Sequence, residues 1–134
     1  MYKIISICFC VFSLYAQCFS QNTGRTISNF NENWKFKQVD TKNWLTATVP
    51  GTVHTDLLAN YVIPDPFLET NEKNVQWVEK KDWEYKTSFF LSQSEMNFKN
   101  IDLQFDGLDT YASVFLNNQL ILEANNMFRI WKIP

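Results

Sequence analysis

A chain of 134 residues has room for one domain of ordinary size, and at 46% hydrophobic and 16% aromatic it has ample apolar material for a core. That composition excludes the low-hydrophobicity, high-charge class of disordered chains. A formal charge of −2 gives no electrostatic footing for a nucleic-acid partner.

The first twenty residues stand apart. Lys3 makes a small positive start, Ile4 to Ala16 is an almost unbroken apolar run, and Cys18 and Ser20 place small residues at −3 and −1 of a cut after Ser20. This is the pattern of a secretory signal peptide, too short to span a bilayer. A lipoprotein signal centred on Cys18 competes, against Gln17 standing where a small residue is wanted. Cleavage after Ser20 removes all three cysteines (Cys8, Cys10, Cys18) and Lys3, leaving 11 basic side chains (12 less Lys3) against 14 acidic, or −3. The mature unit, residues 21–134, then has no disulfide or thiol chemistry, in a compartment that permits both. With no second segment of spanning length, it is expected to be soluble and to have no membrane partner. Its destination is the periplasm or the exterior, with the lysosome as the alternative.

Residues 21–29 are a polar leader. Trp34, Phe36 and Gln38 alternate with Lys35 and Lys37, the period of a half-buried strand. Ala47 to Val49 reads as a second strand, stopped by Pro50-Gly51. Thr55 is placed to N-cap one helical turn carrying Leu57, Leu58 and Tyr61. That turn ends before Ile63-Pro64-Asp65-Pro66, where the prolines forbid helix. Residues 64–74 form a polar loop of a length often tied to function. Val75, Trp77 and Glu79 point one way, in the alternation of a strand. Trp83, Tyr85 and Thr87 then alternate with Asp82, Glu84 and Lys86, leading into Phe89-Phe90-Leu91. After a polar connection from Ser92 to Lys99, Ile101, Leu103 and Phe105 alternate with Asp102, Gln104 and Asp106. Residues 111–116 and 119–123 read as a hairpin around Asn117-Asn118, since Asn tolerates the positive φ of a type I′ turn. A last strand begins within Met127 to Ile133. About seven short strands with one helical turn and no real helix predict an all-β fold, a jelly-roll β-sandwich rather than a small barrel. An end at Pro134, directly after an apolar strand signal, leads us to expect a sandwich truncated at its C-terminal side.

V-P-G-T-V-H-T-D-L-L (49–58), I-P-D-P-F (63–67), N-E (71–72), V-Q-W-V-E (75–79), D-W-E-Y (82–85), F-D-G-L-D-T-Y-A (105–112) and N-M-F-R-x-W (126–131) resemble, in order and spacing, the N-terminal region of β-mannosidases. These belong to glycoside hydrolase family two. The resemblance runs from about Trp34 to Trp131. It implies a galactose-binding-like jelly roll here, followed in the parent chain by immunoglobulin-like domains and a TIM barrel as its intramolecular partners. It implies removal of terminal, non-reducing β-D-mannose with retention, using two barrel glutamates about 5–5.5 Å apart. Neither glutamate motif occurs in this sequence, and an aspartate that the family's first domain lends to the sugar site is expected past Pro134. The chain itself is therefore expected to have no catalytic residue, no cofactor and no metal, and to be inactive alone. Its glycan partners, β-mannosides, would be reached through the parent enzyme.

Within the chain, Asn71, Glu72 and Trp77 are the substrate-binding candidates. The resemblance implies that this loop reaches toward the barrel's mouth, where an indole stacks on a sugar face and amide or carboxylate groups take hydroxyls. The competing reading puts Trp77 in the core and the loop against a neighbouring domain. His54, the sole histidine, is expected to be structural, its ring hydrogen-bonded to backbone near the Pro50-Gly51 turn. Asp82 is expected to meet a loop backbone or Arg129. Asp102 and Asp106 are expected on a solvent face with Gln104, and Asp106 and Asp109 in turns, over the alternative of a calcium cluster. Trp34, Trp44, Phe36, Phe105, Phe115 and Trp131 are expected in the core, as are Trp83 and Tyr85. An accessory domain of a β-mannosidase is the leading function. A free-standing carbohydrate-binding module and a structural sandwich without ligand are the alternatives.

Overall fold

The computed structural model describes residues 26–134. The signal-peptide reading of 1–20 and its three cysteines lie outside the described residues. Among those described, no helix is long and apolar enough to cross a membrane.

Three strands form one antiparallel sheet in the order β2-β1-β3: β1 is Lys35–Gln38, β2 Leu45–Thr46 and β3 Trp83–Lys86. The alternation in 34–38 decides which side is buried. Phe36 is fully buried while Lys35 on one side of it is exposed. In register, Phe36 faces Tyr85 and Gln38 faces Trp83. The Phe36 ring lies 5.4 Å from Tyr85 and 5.8 Å from Trp83, within the range where aromatic pairs add to simple burial. Lys37, on the outer face, pairs with Glu84 at 3.0 Å.

One helix and two shorter turns cover this sheet. Helix α1, Val53–Ala59, starts at Thr52, not at the expected Thr55. Thr52 is extended and its hydroxyl accepts from the Thr55 backbone N–H, while the Thr55 hydroxyl accepts from the Thr52 N–H. Thr55 thus holds the third helical position of a reciprocal capping box. Of the three apolar residues expected on this turn, Leu57 is buried, Leu58 is partly exposed and Tyr61 almost wholly so. The helix ends at Asn60 and the chain then passes through a left-handed residue, Tyr61, with φ of 57°. A Cβ on Gly51, just upstream, would run into the Thr48 carbonyl oxygen, which accounts for glycine at that turn.

Residues 71–80 depart from the sequence reading. Helix α2, Asn71–Val75, begins inside the expected polar loop, and a 3₁₀ turn, Val78–Lys80, stands where a strand was expected. The buried side chains are Val75 and Val78, three residues apart, whereas Trp77 and Glu79 are exposed. A spacing of three is helical, so the apparent alternation of Val75, Trp77 and Glu79 was the wrong period. The resulting core is Phe36, Ala47, Leu57, Ile63, Val75 and Val78, with Trp34, Leu45, Val53, Trp83 and Tyr85 against it.

The C-terminal half contributes two antiparallel pairs. Strand β4, Leu103–Phe105, pairs with β7, Trp131–Ile133, and β5, Ala112–Leu116, pairs with β6, Gln119–Ala124. Asn117 and Asn118 have φ of 50° and 66° between β5 and β6, the conformation a type I′ hairpin requires. Ser92 to Lys99 holds a third short helix, α3 (Gln93–Met96), entered through a Ser92/Glu95 capping box. Among the described residues seven strands thus coexist with three short helices, where about seven strands and a single helical turn were expected. Strand β2 also ends before Ala47, so the expected strand over 47–49 is displaced toward the N-terminus. Phe115, expected in the core, is 61% exposed on the outer face of β5. Trp44 is half-buried under two lysines, with Lys86 Nζ 3.6 Å and Lys37 Nζ 5.1 Å from its ring.

Candidate functional site

Asn71, Glu72 and Trp77 sit on one continuous segment: the first two open α2, and Trp77 follows it. The loop before them is braced by its own backbone. Asp65 Oδ1 accepts from the Phe67 N–H at 2.9 Å, and the Asp65 carbonyl accepts from the Leu68 N–H at 3.2 Å. Pro66 occupies the second position of that turn, where its fixed φ is favoured. Asn71 is engaged in the same bracing: its Nδ2 donates to the Asp65 carbonyl at 3.0 Å and its backbone N–H to Leu68 at 3.1 Å. Glu72 is exposed in the first turn of α2, where a negative charge suits the helix start. Trp77 is 36% exposed. Its ring lies 6.1 Å from Trp83, tilted by 43°, and Trp83 Nε1 donates to the Val78 carbonyl at 3.1 Å. The indole of Trp77 therefore rests on the core by one part and offers the rest outward.

A polar centre that the sequence reading passed over lies beneath α1. Asp56 is 2% exposed. One carboxylate oxygen accepts from the Thr48 N–H at 2.8 Å, and the other accepts from the Tyr85 hydroxyl at 2.8 Å. Asn60 Nδ2 donates to the carbonyls of Thr46 and Asp56 at 2.8 and 2.7 Å. Burial first, then the hydrogen bond to Asp56 and the nearby carboxylate charge, push the Tyr85 hydroxyl well above the usual phenol range. This constellation ties α1 to β3 and to the end of β2. Each of its polar groups is occupied by another, so it has structure to offer and no free acid or base. Val53, Asp56 and Leu57 share one helix face by their spacing, which was the available signal.

The other titratable residues are dispersed. His54 is exposed on α1, and no hydrogen bond to its ring is found among the described residues, contrary to the expected backbone contact. Arg129 lies over the Trp131 ring at 4.3 Å and forms no ion pair with Asp82 among the described residues; the backbone carbonyl of Asp82 accepts from the Val39 N–H. Asp102 pairs with Lys132 at 2.7 Å, Asp106 accepts from Gln104 Nε2 at 2.7 Å, and Asp109 accepts from the Thr110 N–H at 2.7 Å. No group of three or more His, Cys, Asp or Glu able to hold a metal ion occurs among the described residues. Open clefts occur among the described residues. One, of about 450 Å³, is lined by Tyr111, Ser113, Glu123 and Asn125; the other, of about 390 Å³, by 29–33, Thr87 and Ser88. Neither includes Asn71, Glu72 or Trp77.

Strands in antiparallel pairs around an aromatic-rich core describe a β-rich domain. Residues 34–134 match the family model described as glycosyl hydrolase 2 galactose-binding domain-like, and the chain belongs to that family. The all-β, galactose-binding-like class expected from the sequence is thereby established. The crystal structure of β-D-mannosidase from Dictyoglomus thermophilum aligns with a TM-score of 0.74 and 46% identity, covering 75% of this chain and 12% of that one. Beta-mannosidase B of Emericella nidulans is 43% identical over 102 residues, which is 73% of this chain and 12% of the relative. A probable beta-mannosidase of Caenorhabditis elegans is 31% identical over 123 residues, 92% of this chain and 14% of the relative. The chain thus spans only 12% to 14% of the length of these relatives.

Proposed function

We propose that this chain is the accessory N-terminal domain of an exported β-mannosidase. The parent enzyme removes terminal, non-reducing β-D-mannose with retention, and this domain helps to wall the pocket from the segment 71–77. The observation that supports this reading is the identity of 43% to 46% with β-mannosidases, confined to 12% of their length. The share of the relatives' length left unmatched leaves room for the immunoglobulin-like and TIM-barrel domains that the sequence resemblance implies. Trp77 supplies a partly open indole, the kind of surface on which a pyranose stacks. Glu72 adds an exposed carboxylate five residues earlier on the same segment.

The test is hydrolysis of an aryl β-D-mannoside by the complete gene product that includes this chain, with the first-formed anomer read by NMR. Turnover giving the β-anomer is expected. A complete product without turnover, or one giving the α-anomer first, contradicts the reading.

A further inference from the structure

The β5–β6 hairpin carries an open recess of about 450 Å³ at its end away from the Asn117-Asn118 turn. Strand register builds it. Ala112 stands opposite Ala124 and Ser113 opposite Glu123, with Tyr111 and Asn125 just beyond the last pair. Side chains two positions apart on a strand share a face, so Tyr111, Ser113, Glu123 and Asn125 gather on one side. The exposed ring of Phe115 continues that face about 13 Å along β5 from Tyr111, at the rise of a strand. The Tyr111 ring is 86% exposed, and Ser113, Glu123 and Asn125 are exposed as well. Among the described residues no side-chain hydrogen bond or ion pair occupies these four, unlike the groups around Asp56, which satisfy one another.

The lining selects among ligands. No Lys, Arg or His borders the recess and Glu123 carries its charge, so an anion is repelled. Ser113 and Asn125 bring hydroxyl and amide donors, which a cation cannot use. A carboxylate that accepts, an amide that both donates and accepts, and a flat ring that covers C–H groups together match a neutral polyhydroxylated ligand. Two rings spaced along one strand suit a chain of sugar units over a single one. We propose that this face is a second glycan-binding site, separate from the 71–77 segment, which holds a neutral β-mannan oligosaccharide while the parent enzyme trims its end. The choice of a mannan chain rests on the accessory-domain reading. Holding the chain at a second point raises its effective concentration at the catalytic pocket.

Nitration of tyrosines in the complete gene product by tetranitromethane, read by peptide mass spectrometry, tests the proposal. Saturating β-linked mannohexaose is expected to slow nitration of Tyr111 about fivefold or more, because a stacked sugar covers the ring. Equal rates with and without the hexaose overturn the proposal. So does a Tyr111 already shielded in the glycan-free product, which would put another part of the polypeptide over the recess. Glu123→Gln keeps the shape of an exposed side chain that has no partner in this domain, so it spares folding, and it removes the charge. It is expected to raise the hexaose concentration for half protection about tenfold, the loss of one charge-assisted hydrogen bond; an unchanged dose curve overturns the site. Protection of Tyr111 by choline at the same concentrations also overturns it, in favour of a cationic ligand. A product that hydrolyses aryl β-mannosides with Tyr111 unprotected by the hexaose refutes the site alone. Protection that depends on Glu123, in a product without that activity, refutes the accessory-domain reading alone.

Discussion

Asp56 is the residue on which the helix, the sheet and the Pro50-Gly51 approach converge. Replacing it by Ala leaves the part-buried Thr48 N–H and Tyr85 hydroxyl without this partner, at a cost of roughly 2 kcal/mol. Asp102→Ala, which removes a partner of the more exposed Lys132 pair, should cost less than about 1 kcal/mol. Urea midpoints at unchanged slope would measure both, and equal effects would remove the special standing of Asp56. Tyr85 adds a pH signature. Its folded-state pKa is raised above the ordinary value of 10.0, so the stabilisation is intact below that pH. Above it, the unfolded chain releases the proton first and stability falls as pH climbs. Tyr85→Phe should flatten this alkaline decline, as a pH series of urea midpoints would show. Trp77 separates two roles: in the complete enzyme, Trp77→Ala should raise KM or lower kcat for an aryl β-mannoside. Unchanged kinetics with a lowered melting temperature would assign it to the core. At this scale the sequence disclosed part of the aromatic core, because Phe36, Trp83 and Tyr85 lie in clean alternation, whereas Trp44, Phe105, Phe115 and Trp131 lie outside the core cluster. It disclosed Asp56 poorly, because a buried carboxylate differs from a surface one only through partners distant in the chain.

Elements were legible where one period was unambiguous. The hairpin of β5 and β6 follows from alternation plus Asn117-Asn118, and the turn has the positive φ values expected of it. Asn118→Gly should leave the hairpin intact or strengthen it, since glycine holds φ of 66° without strain. Asn118→Val should weaken it by about 1–2 kcal/mol, the approximate penalty for a left-handed L residue. Thermal unfolding of the two variants would check the order, and a more stable Val variant would contradict it. The short helices were missed for a physical reason. Helices of four to seven residues have little intrinsic stability and form because caps and tertiary packing hold them. Their apolar positions are too few to establish a period, so Val75 and Trp77 read as a strand although Val75 and Val78 share a helical face. Thr52 was overlooked as a cap because its partner at the third position is Thr55, not the Glu or Gln of the usual box.

For the molecule as a whole, the class of fold was accessible from alternation and turns, whereas the likeness to β-mannosidases came from the ordered series of motifs between Trp34 and Trp131. Neither route could show which surfaces stay open. Phe67, Phe90, Phe128 and Tyr111 are each more than four-fifths exposed, an arrangement that sequence pattern reads as ordinary apolar content. The central claim is that sugar chemistry resides outside these residues and that this domain supports it. The most direct measurement is turnover of an aryl β-D-mannoside by the 134-residue chain alone, with folding verified by near-UV circular dichroism, at the concentration where the complete gene product is active. The account predicts no turnover by the folded chain beside full activity of the complete product; measurable hydrolysis by the chain alone would contradict it.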